Sequence, residues 1–233
     1  MATIAVHALK GGVGKTTTAV NLAWASATLS ARRTLLWDLD PQAAATWLLG
    51  DTGGEQARAI FARDAAAKPR RTAWERLDVI GADASLHGLD RLFHEAGAKK
   101  RLTKLIARAG DYDRVVLDCP PGLGEVADQA IRAADLIVVP VIPSPLSERA
   151  LDAVVERVGG RTPLMPIFTM VDRRRRLHAD ALARHPDWPV VPMSSIVEAM
   201  ATHRAAVGAF APRSAPAQAF AALWRTIEQR LAG

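Results

Sequence analysis

Eight residues near the start of the chain, 10–17, read KGGVGKTT and directly follow an apolar run. A glycine-rich turn between a strand and a helix aims successive backbone N–H groups at one point, and the helix N-terminus adds a partial positive charge there. Such a turn binds polyphosphate, with the Lys15 ammonium on the β- and γ-phosphates and the Thr16 hydroxyl on a shared Mg²⁺. The predicted nucleotide-binding residues are Lys10, Gly11, Gly12, Val13, Gly14, Lys15, Thr16 and Thr17.

Three aspartates follow apolar runs that are typical of buried strands. Asp38 and Asp40 follow one such run, and Asp118 follows another. In a parallel sheet the carboxyl ends of the strands share one edge, so we expect these carboxylates to converge on the glycine-rich turn. Asp118 is predicted to hold Mg²⁺ together with Thr16, and Asp40 to orient the attacking water of phosphoryl transfer, with Asp38 as the alternative. Apart from that chemistry, the Asp-Pro pair at position 40 is an ordinary turn opener.

The glycine-rich turn resembles that of the deviant Walker A group of P-loop ATPases, which includes the ParA partition proteins, the MinD division-site proteins and the nitrogenase iron protein. Leu9 stands where the general P-loop pattern has its first glycine, and a second lysine, Lys10, is present. The resemblance implies that Lys10 reaches the nucleotide of the partner subunit, so that ATP holds a homodimer together. Lys10, Lys15 and Asp40 are then the predicted catalytic residues, with ATP and Mg²⁺ as cofactors. The alternative for Lys10 is an exposed lysine at a strand end.

Later segments resemble the ParA branch in the same order along the chain. Residues 38–42 read DLDPQ and residues 169–172 read TMVD. After Gln42, where the family continues with glycine and a small polar residue, this chain has three alanines, 43–45. The resemblance covers nearly the whole chain and implies slow ATP hydrolysis that a ParB-like or cargo-adaptor protein stimulates.

The apolar runs alternate with helical patterns, which predicts an α/β fold with a mostly parallel, doubly wound sheet and helices on both faces. A first helix is predicted from about Thr16 to Ser30, and residues 51–76 are predicted to form a surface excursion. The length of 233 residues suits a single P-loop domain, 1–233. The predicted strands lie near 3–8, 34–38, 77–81, 114–118, 136–141, 164–170 and 189–192.

The formal net charge is +6, and four consecutive arginines, 173–176, form the densest basic run. Arginine forks suit phosphate oxygens, and a patch of them gives sequence-independent affinity for DNA. The resemblance implies that basic residues after the TMVD segment and near the C-terminal helices bind nucleoid DNA, and the alternative is a solvated arginine face. The predicted DNA-binding residues are Arg173, Arg174, Arg175, Arg176, Arg204 and Arg213.

Two other functions compete with DNA-dependent positioning. A MinD-like protein would use a C-terminal amphipathic helix on a membrane, and the apolar stripe from Phe220 to Leu231 has the right spacing, but a helix packed on the sheet needs the same stripe. A metabolic ligase of the same fold would need a substrate pocket that the sequence does not reveal. The single cysteine, Cys119, is predicted to be a packing residue, as in a cytoplasmic protein. We therefore expect a nucleoid-associated protein without stable membrane association and without an N-terminal operator-binding extension.

Overall fold

The computed structural model describes residues 1–50, 57–63, 68–89, 93 and 100–232. Its strands form one eight-stranded sheet with the order β3-β4-β2-β5-β1-β6-β7-β8. All neighbouring strands are parallel except β3, which pairs antiparallel with β4 at the edge. The strands are β1 (Ala2–Val6), β2 (Thr34–Asp38), β3 (Arg70–Arg71), β4 (Leu77–Ile80), β5 (Arg114–Asp118), β6 (Leu136–Val141), β7 (Leu164–Val171) and β8 (Val190–Pro192).

Helices cover both faces of this sheet, so the predicted fold class is confirmed. A short 3₁₀ helix at Ala84–Leu86 follows β4. The described α-helices are α1 (Lys15–Leu29), α2 (Ala44–Leu48), α3 (Ala57–Arg63), α4 (Arg101–Arg108), α5 (Glu125–Ala133), α6 (Pro145–Val158), α7 (Arg176–Arg184), α8 (Ser195–Glu198), α9 (Met200–His203), α10 (Val207–Phe210) and α11 (Ala215–Ala232).

Each face of the sheet has its own apolar core because alternate side chains of a strand point to opposite faces. On one face Ile4 and Val6 of β1 pack with α1 and α11, and on the other Ala5 packs in the core that includes Ile131 of α5 and Val154 of α6. Because α1 packs on β1 through this core, its first residues lie close to the carboxyl end of β1.

The C-terminal helix α11 packs on the sheet rather than presenting its apolar stripe. Phe220, Leu223, Trp224 and Ile227 are buried, and the Trp224 indole N–H donates to the Ser30 hydroxyl at 2.7 Å. The interpretation of this stripe as core packing is therefore confirmed. Within the described ranges, no helix is both long enough and apolar enough to cross a membrane.

The expectation of a surface excursion at 51–76 is wrong for α3. The Phe61 ring is buried, with its centroid 5.8 Å from that of Trp37 and 5.5 Å from that of Phe93. An aromatic side chain of this size contributes about 1.5–3 kcal/mol when it is fully buried, so α3 belongs to the core. Residues 51–56 and 64–67 of the excursion lie outside the described residues, and a single domain over 1–233 stays a prediction.

Candidate functional site

The glycine-rich turn joins β1 to α1 in the predicted conformation. Gly12 and Gly14 have φ angles of 70° and 89°, in the left-handed region that favours glycine. A Cβ placed on Gly11 or Gly12 would meet no protein atom within 4 Å, so the mouth of the turn is open. No side chain caps α1, and no acidic residue lies in its first turn. The first N–H groups of α1 are thus left for an anionic ligand.

Lys15 is held inside this turn. Its ammonium is buried and donates to the backbone oxygen of Lys10 at 3.1 Å. Burial lowers the pKa of Lys15, and the nearby carboxylates of Asp118 and Asp40 oppose that shift. The Thr169 hydroxyl, at the end of β7, donates to the Val13 oxygen at 2.8 Å and fixes the turn from the other side. The lysine that the sequence predicts to bind phosphate is therefore already positioned in the absence of nucleotide.

Asp118 ends β5 beside the turn and is fully buried. Within the part of the chain that the structure describes, neither of its carboxylate oxygens has a hydrogen-bond partner. Burial first and the charge of Asp38 second raise the pKa of Asp118 well above its usual value, while the nearby Thr16 hydroxyl and Lys15 ammonium act in the opposite direction. An unpartnered buried carboxylate beside a hydroxyl is a donor set that fits Mg²⁺ and its bound waters.

Asp38 lies opposite Asp118 in the register of β2 and β5 but has a different environment. One oxygen accepts the Asp40 N–H at 3.0 Å, and the other accepts both the N–H and the hydroxyl of Thr46, at 2.9 and 2.7 Å. Burial is the main cause that raises the pKa of Asp38 to about 6, and these hydrogen bonds lower it in part. Because its oxygens are occupied, Asp38 serves to hold the loop that carries Asp40.

Asp40 is half-buried and near enough to Lys15 and Asp118 to shift their pKa values. Its Oδ1 accepts the Gln42 N–H at 2.9 Å, and its backbone oxygen accepts the Ala43 N–H. Ala43 has a φ of 53°, a left-handed conformation that costs an L-residue about 1–2 kcal/mol. The structure thus brings the three predicted carboxylates together at one edge of the sheet.

Two buried side chains near this edge take no part in the predicted chemistry. Cys119 is buried, and burial raises the pKa of its thiol, so it is a packing residue as expected. His7 follows β1 and is also buried; neither ring nitrogen has a hydrogen-bond partner among the described residues. Burial first and the Lys15 charge second lower the pKa of His7 to about 4, so its ring is neutral.

A cavity of about 90 Å³ lies next to the turn, between the ends of β7 and β8. Thr17, Met170, Pro192 and Phe220 are among the residues that line it. Met170 lies in the last two residues of β7, and Pro192 ends β8. The cavity has the apolar lining that a nucleoside base requires.

The predicted DNA-binding arginines are all exposed, but their guanidinium groups differ. Arg174 forms a bidentate pair with Asp172, at 2.9 and 3.0 Å, and Arg176 lies 3.9 Å from Asp180. Arg173 and Arg175 form no ion pair within the described residues, nor does Arg213. Arg204 donates to the backbone oxygen of Trp47. The run therefore offers fewer unpaired charges than its sequence suggests.

Comparison with known proteins gives a consistent set of relatives. A family model described as an AAA domain matches residues 1–160. The chromosome partitioning protein ParA of Caulobacter vibrioides is 36% identical over 194 residues, which cover 75% of this chain and 71% of that protein. The sporulation initiation inhibitor protein Soj of Bacillus subtilis is 37% identical over 145 residues, 59% of this chain and 57% of Soj. This match thus spans little more than half the length of Soj. The chromosome-partitioning ATPase Soj of Treponema pallidum is 28% identical over 95% of this chain and 94% of its own.

Solved structures share the fold over nearly the whole chain. A putative plasmid partition protein of Borrelia burgdorferi bound to AMPPNP has a TM-score of 0.84 at 18% identity and covers 98% of this chain and 99% of its own. The septum site-determining protein MinD of Pyrococcus horikoshii, complexed with Mg-ADP, has a TM-score of 0.80 at 23% identity over 100% and 97%. The cobyrinic acid a,c-diamide synthase of Mycobacterium smegmatis, with ADP and magnesium, has a TM-score of 0.82 at 24% identity over 100% and 96%. At these identities the likeness shows the fold alone.

Proposed function

Since this chain belongs to the ParA/Soj family and is a P-loop ATPase, we propose that it forms an ATP-dependent dimer on nucleoid DNA and positions a cargo there. The observation that carries the nucleotide part is Asp118, a buried carboxylate that accepts no hydrogen bond from the residues described here, beside an open glycine turn that already holds Lys15. Such an arrangement is costly for the free protein and is offset only when a cation and an anion bind together.

The residues present would hold Mg²⁺ and ATP as follows. The backbone of residues 10–17 surrounds the phosphates, Lys15 pairs with them, and Thr16 with Asp118 holds the metal ion and its waters. When bound, Mg²⁺ neutralises charge on the phosphate oxygens. The cavity lined by Met170 and Pro192 takes the base. Asp40 orients the attacking water, because its carboxylate is close enough to Lys15 and Asp118 to act on their pKa values and its backbone N–H is held by Asp38.

Dimerisation is expected to depend on Lys10. This lysine is half-buried at the rim of the turn, and its backbone oxygen, not its ammonium, binds Lys15. The ammonium is then able to reach the γ-phosphate in a partner subunit. Light scattering should show a monomer-to-dimer shift with Mg²⁺ and ATP but not with ADP, and no shift for Lys15→Ala. A dimer of equal strength with ADP or without nucleotide would contradict the proposal.

DNA binding is proposed for the exposed arginines after β7 and near α11. Arg173 and Arg175 have no ion-pair partner in the part of the chain that the structure describes, whereas the charge of Arg174 is balanced by Asp172. Replacing Arg173 and Arg175 with alanine should weaken binding to random-sequence duplex DNA and lower the slope of log affinity against log salt by about 0.9 per lost contact. Arg174→Ala is the matched control, since the same type of side chain is removed from a neutralised position. An unchanged slope in the double variant would remove these arginines from the DNA surface.

Binding to lipid vesicles, measured beside binding to DNA, distinguishes a DNA-bound protein from a membrane-bound one. Vesicles of anionic phospholipid should recover little ATP-bound protein, because the apolar stripe of α11 is buried against the sheet. Capture by vesicles without capture by DNA would favour a MinD-like function instead. Hydrolysis is expected to be slow until a ParB-like or cargo-adaptor protein binds.

A further inference from the structure

The short helix α2 directly follows the loop that carries Asp40, and its far end contacts the C-terminal part of the chain. The guanidinium of Arg204 donates from Nε and Nη2 to the backbone oxygen of Trp47, at 3.0 and 2.7 Å. The same guanidinium lies over the Trp47 ring, 4.8 Å from its centroid. The Arg204 guanidinium thus contacts both the backbone oxygen and the aromatic ring of Trp47 in α2.

Thr46, the residue before Trp47 in α2, ties the helix to the ends of β2 and β4. The Thr46 hydroxyl donates to Asp38 and accepts the Ala82 N–H at 2.8 Å, just beyond β4. Asp38 in turn accepts the Asp40 N–H. Any displacement of α2 therefore acts on the backbone of Asp40 through Asp38 and Thr46.

The segment that carries Arg204 is itself tied to the phosphate-binding helix. Asn21 of α1 donates to the Thr17 oxygen at 2.8 Å and contacts the Met200 sulfur at 3.2 Å. Its Oδ1 accepts the Val207 N–H at 2.9 Å. Segment 200–207 is therefore fixed to the helix that begins at Lys15, and Arg204 extends this attachment to α2.

Backbone strain occurs on both sides of this contact. Ala43, immediately before α2, has a φ of 53°, and Arg204, immediately after α9, has a φ of 46°. Left-handed conformations at residues other than glycine persist only where surrounding contacts impose them, and they concentrate at functional sites. One strained residue thus precedes α2, and the other supplies the guanidinium that contacts Trp47.

We propose that Arg204 is a positioning residue for ATP hydrolysis. Its contact with Trp47 holds α2 against segment 200–207 and thereby keeps the loop that carries Asp40 in the position that hydrolysis requires. Arg204 then adds a polar contact to the apolar packing that already joins α1 to α2, on the side of α2 that faces segment 200–207. This role differs from DNA contact, which the sequence predicts for Arg204. It rests on ATP hydrolysis and not on the proposed DNA function.

The proposal is tested by measuring ATP hydrolysis by the full chain. The assay contains Mg²⁺ and ATP but neither DNA nor a partner protein. For Arg204→Ala we expect kcat to fall by about tenfold with the ATP dissociation constant unchanged within about twofold, since a displaced reactive group costs rate rather than binding. Arg204→Lys should restore part of kcat, because an ammonium can still reach the Trp47 oxygen and ring. Arg225→Ala removes the same charge from an exposed position on α11 and should leave kcat unchanged.

Fluorescence quenching supplies a readout that general destabilisation would not move. Acrylamide quenching is measured for each protein with and without the additional substitution Trp47→Phe, and the difference between the two measurements reports on Trp47 alone. We expect this difference to be larger in Arg204→Ala than in the wild type and unchanged in Arg225→Ala. Equal kcat in Arg204→Ala and Arg225→Ala would overturn the proposal. So would a parallel fall of kcat, ATP affinity and melting temperature, which would make the contact merely structural. A salt slope on DNA that falls by about 0.9 in Arg204→Ala with kcat unchanged would assign Arg204 to DNA instead.

Discussion

The ends of β2 and β5 carry two carboxylates that are partners in register yet have opposite environments. Asp38 and Asp118 are both fully buried, and each ends its strand. Asp38 accepts three protein hydrogen bonds, whereas Asp118 accepts none among the described residues. The difference separates two environments of a buried carboxylate: Asp38 holds the loop that carries Asp40, whereas Asp118 is the carboxylate that we propose for Mg²⁺.

Stability without nucleotide should show this difference most strongly. Asp38→Asn puts an N–H₂ group among donors and should cost about 3 kcal/mol, since buried donors lose their acceptor. Asp118→Asn, its matched control, should not lower the free energy of unfolding, because among the described residues no donor loses an acceptor when this carboxylate is replaced. Urea unfolding measures both. Equal losses in the two variants would mean that the carboxylates have the same role.

The effect on Mg²⁺ binding should be larger for Asp118→Asn than for Asp38→Asn, the opposite of their order in stability. With ATP bound, Asp118→Asn should weaken Mg²⁺ binding by about 10- to 100-fold, as expected when a carboxylate that orients metal-bound water is lost. Titration of Mg²⁺ followed by the melting temperature measures this, with EDTA as the baseline. Unchanged Mg²⁺ affinity would place the metal ion away from β5.

His7 extends the comparison to a buried base without a partner. Its pKa is about 4 in the fold against an ordinary histidine value of 6.5, so the unfolded chain binds the additional proton as the pH falls through 6.5. The folded state should therefore lose about 2 kcal/mol between pH 7 and pH 5 from this group. His7→Leu should remove that share of the pH dependence. Parallel stability curves for the two proteins would show that the histidine ring finds a partner when protonated.

The smallest expected effect concerns the loop that Asp38 holds. Ala43→Gly should stabilise the protein by up to about 1 kcal/mol, because the relief of left-handed strain exceeds the added freedom of the unfolded chain. Thermal unfolding measures the change, and Ala44→Gly inside α2 is the control that should destabilise. Destabilisation by Ala43→Gly would mean that the strain at Ala43 is compensated locally.

The sequence was most informative where chemistry depends on neighbouring residues. The glycine turn and the aspartates at strand ends could be predicted because each is a local pattern that follows an apolar run. The acceptor role of Asp38 could not, since Thr46 lies in a helix whose position depends on Ala82, 36 residues away. Arg204 contacts Trp47, which is 157 residues away in the chain. The sequence predicted DNA binding from the charge of Arg204 and could not reveal that its guanidinium binds a backbone oxygen within the fold. Phe61 was missed because its burial depends on the ring of Trp37.

Asp40 offers the most direct test of the central claim that binding and hydrolysis are carried by separate groups of one site. Phosphate release and ATP affinity should be measured together for the wild type, Asp40→Ala and Lys15→Ala. We expect Asp40→Ala to keep ATP while hydrolysis falls by about 100-fold, as for loss of a group that acts on the attacking water, and Lys15→Ala to lose both. Hydrolysis by Asp40→Ala at the wild-type rate, or loss of ATP binding along with activity, would contradict the claim.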